Sequence, residues 1–113
     1  MNYKIRIMAN AKREMREITE YIAKDLGNPA AALRRLDLID EKIQTLEENP
    51  ARYPFVQDEY LASKGFRWVA AKTHLIFYTV CEESKTVSVM RVLNGRRDWS
   101  RLLRMDAENL SGE

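Results

Sequence analysis

A chain of 113 residues, 45% hydrophobic and 32% charged, is one ordered domain's worth of sequence (residues 1–113), with no room for a separate regulatory module. Its 19 basic and 17 acidic residues leave a formal net charge of +2, a total too small to argue for nucleic-acid binding. One cysteine, Cys81, excludes an intramolecular disulfide, no set of Cys and His suits an ordinary structural zinc site, and no apolar run approaches the ~18–20 residues that span a bilayer. The opening MNYKIRIMANAKRE lacks the apolar core of a secretory leader, so the expectation is a cytoplasmic protein needing no metal or cofactor.

Tyr3, Ile5 and Ile7 alternate with Lys4 and Arg6, the period-two pattern of a half-buried strand. Asn10 is suited to cap the helix that follows, whose stripe is Ala11, Met15, Ile18, Ile22 and Leu26. Gly27 ends it. Asn28 and Pro29 restart a helix at once, with Leu33, Leu36, Ile39, Ile43 and Leu46 as its apolar face, and Asn49-Pro50 closes it. So short a junction predicts a tight antiparallel helical hairpin, and neither stripe can be buried without a sheet beneath it.

Residues Ala51 to Ser63 are expected to form a loop. Phe66–Lys72, His74–Cys81 and Thr86–Leu93 are rich in β-branched and aromatic residues and predict three strands, the last two joined by the charged turn Glu82–Lys85. Five arginines and one acid, Asp98, lie between Arg91 and Arg104. Asp98 is placed to cap a short helix carrying Trp99, Leu102 and Leu103. Met105 to Glu113 is polar and is expected to fray, leaving a core of about residues 3–103. The predicted fold is α+β: an N-terminal strand, a two-helix hairpin packed on an antiparallel sheet and a short C-terminal helix. The arginines are expected on the sheet face opposite the hairpin, near the strand ends.

Four segments in this order, YIAKDLGNP, LEENPARYP, HLIFYTV and RVLNGRRDW, resemble the RelE/ParE superfamily of bacterial type II toxin–antitoxin toxins, and the resemblance covers Tyr3 to Leu103. It implies a growth-inhibiting toxin neutralised by a small cognate antitoxin. Two mechanisms come with the superfamily. RelE-like members are metal-independent endoribonucleases that cut messenger RNA on the ribosome, and ParE-like members inhibit DNA gyrase without hydrolytic chemistry. The fold does not choose between them.

A nuclease would need cationic clamps with an acid and a base. The resemblance places Arg67 and Arg96 (or Arg97) at clamp positions. His74, the single histidine, is the one candidate for proton transfer near neutral pH. Asn94 stands where relatives often carry histidine, and no tyrosine follows Tyr78. This departure, the long helices and the small net charge order the readings: gyrase-type inhibition first, RNA cleavage second, an antitoxin-binding remnant without toxicity third. The candidate surface for a target or an antitoxin comprises Arg67, Tyr78, Arg91, Arg96, Arg97 and Trp99, with Trp68 as packing. An antitoxin segment is expected on the exposed sheet edge or beside the hairpin, covering some of Arg67, Arg91 and Arg96.

Overall fold

A computed structural model describes residues 2–111. A short strand β1 (Lys4–Ile7) runs directly into helix α1 (Ala9–Glu20), which continues as a π-helical turn (Tyr21–Asp25). Helix α2 (Pro29–Gln44) returns against it. Two 3₁₀ turns, Thr45–Glu47 and Pro50–Arg52, lead to a short helix α3 (Glu59–Ser63). Strands β2 (Arg67–Ala71), β3 (His74–Cys81) and β4 (Thr86–Asn94) follow, and helix α4 (Trp99–Ser111) closes the order. No described helix is long and apolar enough to cross a membrane.

The sheet has the order β1-β4-β3-β2. The expected architecture is present, with one refinement: β1 lies parallel to β4, Lys4 opposite Thr86 and Ile7 opposite Val89, so the sheet is mixed. The hairpin between them forces this, because it carries the chain across one face and back before the other strands form. Ala11, Ile39, Ile43 and Leu46 of the hairpin side pack on Val69, Ile76, Tyr78, Val87 and Val92. On the opposite face Leu61 of α3 and Leu103 and Ala107 of α4 cover Phe66, Phe77, Met90 and Leu93.

Several local expectations shift. Asn28 caps α2 as expected, its side chain accepting from the Ala31 N–H at 3.0 Å. Asn10 does not cap α1. Met8 holds that position, its own N–H spent on the Val89 carbonyl at 3.0 Å, and Asn10 instead accepts from Arg13. Leu26 and Leu33, both assigned to the core stripes, are 60% and 61% exposed. The π-turn explains Leu26: its N–H reaches back to Tyr21, five residues away, and the wider turn rotates it off the buried face. The segment expected to be a loop is ordered by Asp58, whose carboxylate caps α3 at the Leu61 N–H, and by a bridge between Phe55 and Arg67.

The expected fraying tail is helical through Ser111, because Asp106 and Ala107 are buried. Asp106 meets Arg91. The guanidinium donates through Nε and Nη2 to the two carboxylate oxygens of Asp106 at 2.9 and 3.1 Å, and through Nη1 to Glu14 Oε2 at 2.9 Å. Glu14 Oε1 accepts the Val92 N–H at 3.0 Å. One cation thus ties α1, β4 and α4 together, and the Asp106 hydrogen bonds in particular raise the Arg91 pKa further above its ordinary value. Removing one partner of a buried ion pair leaves a charge without compensation, which costs about 3–5 kcal/mol. Asp106→Ala should lower the unfolding free energy from urea titration by an amount in that range, whereas the exposed-pair change Asp98→Ala should change it by about 1 kcal/mol or less.

Candidate functional site

The turn after β4 is built by Asn94. Its side-chain oxygen accepts the Arg96 N–H at 2.9 Å and its carbonyl accepts the Arg97 N–H at 2.9 Å. Such a turn reverses the chain without a glycine in a left-handed conformation, because the Asn side chain imitates a backbone acceptor. Asp98 then accepts from the Arg101 N–H and pairs with the Arg101 guanidinium at 3.5 Å as α4 begins.

Five arginines clustered in sequence therefore separate in space. Arg91 is 7% exposed and held by Glu14 and Asp106; it is not the surface cation expected from its place in the cluster. The insertion of Met90 into β4, with Phe77 opposite Arg91 and Tyr78 opposite Val89, makes a β-bulge that re-aims the Arg91 side chain. Arg104 pairs with Asp58 at 2.7 Å and lies over the Tyr60 ring. Arg101 is paired as above. Arg96 and Arg97 are exposed, and neither guanidinium has a hydrogen-bond or ion-pair partner among the described residues.

The other candidates lie elsewhere. Arg67 donates to the Tyr53 carbonyl at 2.6 Å and covers the Phe55 ring at 3.8 Å, so it fastens residues 51–55 to the edge of β2. It stands opposite Tyr78, whereas His74 stands opposite Asn94. The two positions are four steps apart along β3, about 13 Å at strand spacing. Tyr78 is fully buried beneath α2 rather than on a binding surface; it donates to the Pro50 carbonyl, and burial pushes its pKa up to about 12. Trp99 stacks on Phe77, ring centroids 5.3 Å apart, and stays partly exposed, with Trp68 beside it.

His74 is buried, with Nδ1 2.7 Å from Arg35 Nη1. Arginine only donates, so Nδ1 is the acceptor and the ring is the neutral Nε2–H tautomer. Burial, with the Arg35 charge second, pushes its pKa below the ordinary 6.5. The ring faces a groove between the hairpin and the strand ends, shared with Ile18, Tyr21, Leu26 and Arg35. His74, Arg67 and Arg96 thus occupy three separate surroundings. Sequence pattern puts Glu14 among the charged positions off the α1 stripe and Asp106 in the polar tail, yet both are buried; the one signal is Asp106 falling in step with Leu103 and Ala107 on one face of a helix.

The family model for the ParE toxin of type II toxin–antitoxin system, parDE, matches residues 5–99. The chain belongs to the ParE toxin family. The fold agrees with those of two solved structures. One is the toxin–antitoxin complex RelBE2 from Mycobacterium tuberculosis, at 20% identity and a TM-score of 0.62, with 83% of this chain and 99% of that chain covered. The other is the chromosomal ParDE toxin–antitoxin system from P. aeruginosa, at 16% identity and a TM-score of 0.66, with 81% and 95% covered. No curated protein matches the chain in sequence. As a ParE-family toxin it therefore places its open arginines between the last strand and α4.

The depressed pKa of His74 has a sign. The folded protein holds the ring neutral where the unfolded chain takes up a proton, so this stability is complete above about pH 6.5 and is lost as pH falls through the folded value. The urea midpoint should decline between about pH 7.5 and pH 5.5, and His74→Gln should flatten that slope.

Proposed function

We propose that this ParE-family chain is a toxin that arrests growth by inhibiting DNA gyrase through surface recognition, without bond-breaking chemistry of its own. The observation that carries this reading is the surroundings of its histidine. The only histidine is buried, neutral and committed to Arg35, and it faces the hairpin groove. An acid–base pair must lie within hydrogen-bond reach of the atoms it serves. Arg67, the second expected phosphate clamp, is occupied in holding the 51–55 segment. What Arg96 and Arg97 offer is an exposed cationic turn beside a tryptophan, which suits recognition.

RNA cleavage on the ribosome is the second reading. It is favoured by the two open arginines, whose planar forks bind phosphate oxygens in pairs. The third is an antitoxin-binding remnant without toxicity.

Both structural relatives are toxin–antitoxin complexes, which supports a cognate antitoxin for this chain. Two places suit it. On the outer edge of β2, Phe66 and Trp68 are bonded to Val56 and Pro54, and Ala70 is the next outward-facing residue, open to an added strand. The groove beside the hairpin presents Tyr21 and Leu26, both more than half exposed. An antitoxin that neutralises charge would cover Arg67 or Arg96, since Arg91 is inside.

Expression without antitoxin tests the mechanism, with DNA and protein synthesis followed by pulse labelling. Under the gyrase reading DNA synthesis falls first with translation intact. Early loss of translation with cut messenger RNA would overturn it, and normal growth would leave the remnant. Reversing both open charges, Arg96→Glu with Arg97→Glu, should abolish growth arrest while circular dichroism and the urea midpoint stay unchanged. A folded double variant that still arrests growth would refute the assignment of this turn.

A further inference from the structure

The sheet face opposite the hairpin carries an aromatic slot of about 210 Å³. Its floor is Phe77 and Val56, both buried, and its walls are Trp68 of β2, Leu75 of β3 and Trp99 at the start of α4, all partly exposed. Gln57 is its one polar residue. The slot is preset: Phe77 holds the Trp99 ring by stacking, and α4 is pinned two turns further on by Asp106 on Arg91. A cavity of this size, walled by aromatic rings that need not move, has the form of a pocket for one large apolar side chain. Buried pockets of this kind carry most of the binding energy at protein interfaces.

Charge identifies the surroundings of that side chain. The turn that delivers Trp99 carries Arg96 and Arg97. The three other arginines of the segment are neutralised by Glu14 and Asp106, by Asp98 and by Asp58. The positive field beside the slot therefore comes from two cations that no acid among the described residues answers. A partner's carboxylates would complement them, and such complementarity sets orientation and association rate more than affinity. A single polar wall residue offers little for reading a base edge, and two arginines neutralise few phosphates. Both facts favour a protein occupant over a nucleic acid.

Resting on the reading that this toxin acts on a protein, we propose that the slot docks an acidic segment of the partner. One large apolar side chain of that segment inserts against Trp68, Phe77 and Trp99, and its flanking carboxylates meet Arg96 and Arg97.

The slot reports on itself, because both tryptophans of the chain line it. The purified full chain is titrated with a synthetic peptide carrying one phenylalanine between runs of aspartate and glutamate, and tryptophan emission is followed. A saturable shift is expected. Replacing the peptide's phenylalanine by alanine should weaken binding about tenfold, and so should Arg96→Ala with Arg97→Ala in the protein. Trp68→Phe widens the slot but keeps an aromatic wall there, and it leaves Trp99 as the sole reporter, so the shift should persist.

Three results would overturn the proposal. They are no saturable shift from a protein shown to be folded, an equal response to a lysine-flanked peptide, or a shift with a single-stranded oligonucleotide and none with the acidic peptide. The last would assign the slot to a nucleobase. The pulse-labelling experiment fails or succeeds separately: peptide binding alongside early loss of translation would sink the gyrase reading and leave the slot, whereas loss of DNA synthesis without peptide binding would do the reverse.

Discussion

β1 ends at Ile7, whereas β4 runs on to Asn94. The far half of β4, paired with β3 on one side, therefore has no strand on the β1 side, and its N–H groups facing that way need other acceptors. Glu14 fills the gap. One carboxylate oxygen takes the Val92 N–H, as the carbonyl of a longer β1 would, and the other takes Arg91. Arg91 enters this space because Met90 is an extra residue in β4. The same guanidinium grips Asp106 along its other edge, so the missing stretch of β1, the bulge and the docking of α4 are one arrangement. An apolar trio could stabilise the interior as well. What the ion network adds is direction, since a planar fork donates to carboxylates only at set angles.

That network reaches the functional face through α4. The helix is anchored through its middle by Leu103, Asp106 and Ala107, and its first residue is Trp99. Trp99 completes the aromatic slot and follows directly on the turn that exposes Arg96 and Arg97. The protein thus sorts one run of arginines into two tasks: Arg91 builds, and Arg96 and Arg97 remain for a partner. The difference is set by which carboxylates the fold brings within reach.

Much of the fold was legible in the chain. Apolar residues three and four apart marked both long helices, Asn28 and Pro29 marked the hairpin junction, and the β-branched and aromatic runs marked the last three strands. The misplaced residues have separate causes. Leu26 turned outward because a π-turn changes the residue count per turn, which no periodicity argument anticipates. The tail after Met105 looked polar because Asp106 is charged, yet it is buried by a partner 15 residues away in sequence. Tyr78 was assigned to the surface because alternation along β3 gives two faces without saying which is outside, and both faces of this sheet are covered.

The sequence by itself determined the elements, their order and, through the match over residues 5–99, the toxin family. Each of these depends on residues close together in the chain, where propensity, capping and spacing act. Tertiary structure alone decided that β1 pairs in parallel with β4, that His74 is neutral and held by Arg35, that Arg67 staples a loop, and that two arginines of five stay open. Those outcomes depend on long-range contacts, such as Glu14 to Arg91 across 77 residues, and the energy of a buried charge is set by such partners rather than by its neighbours in the chain.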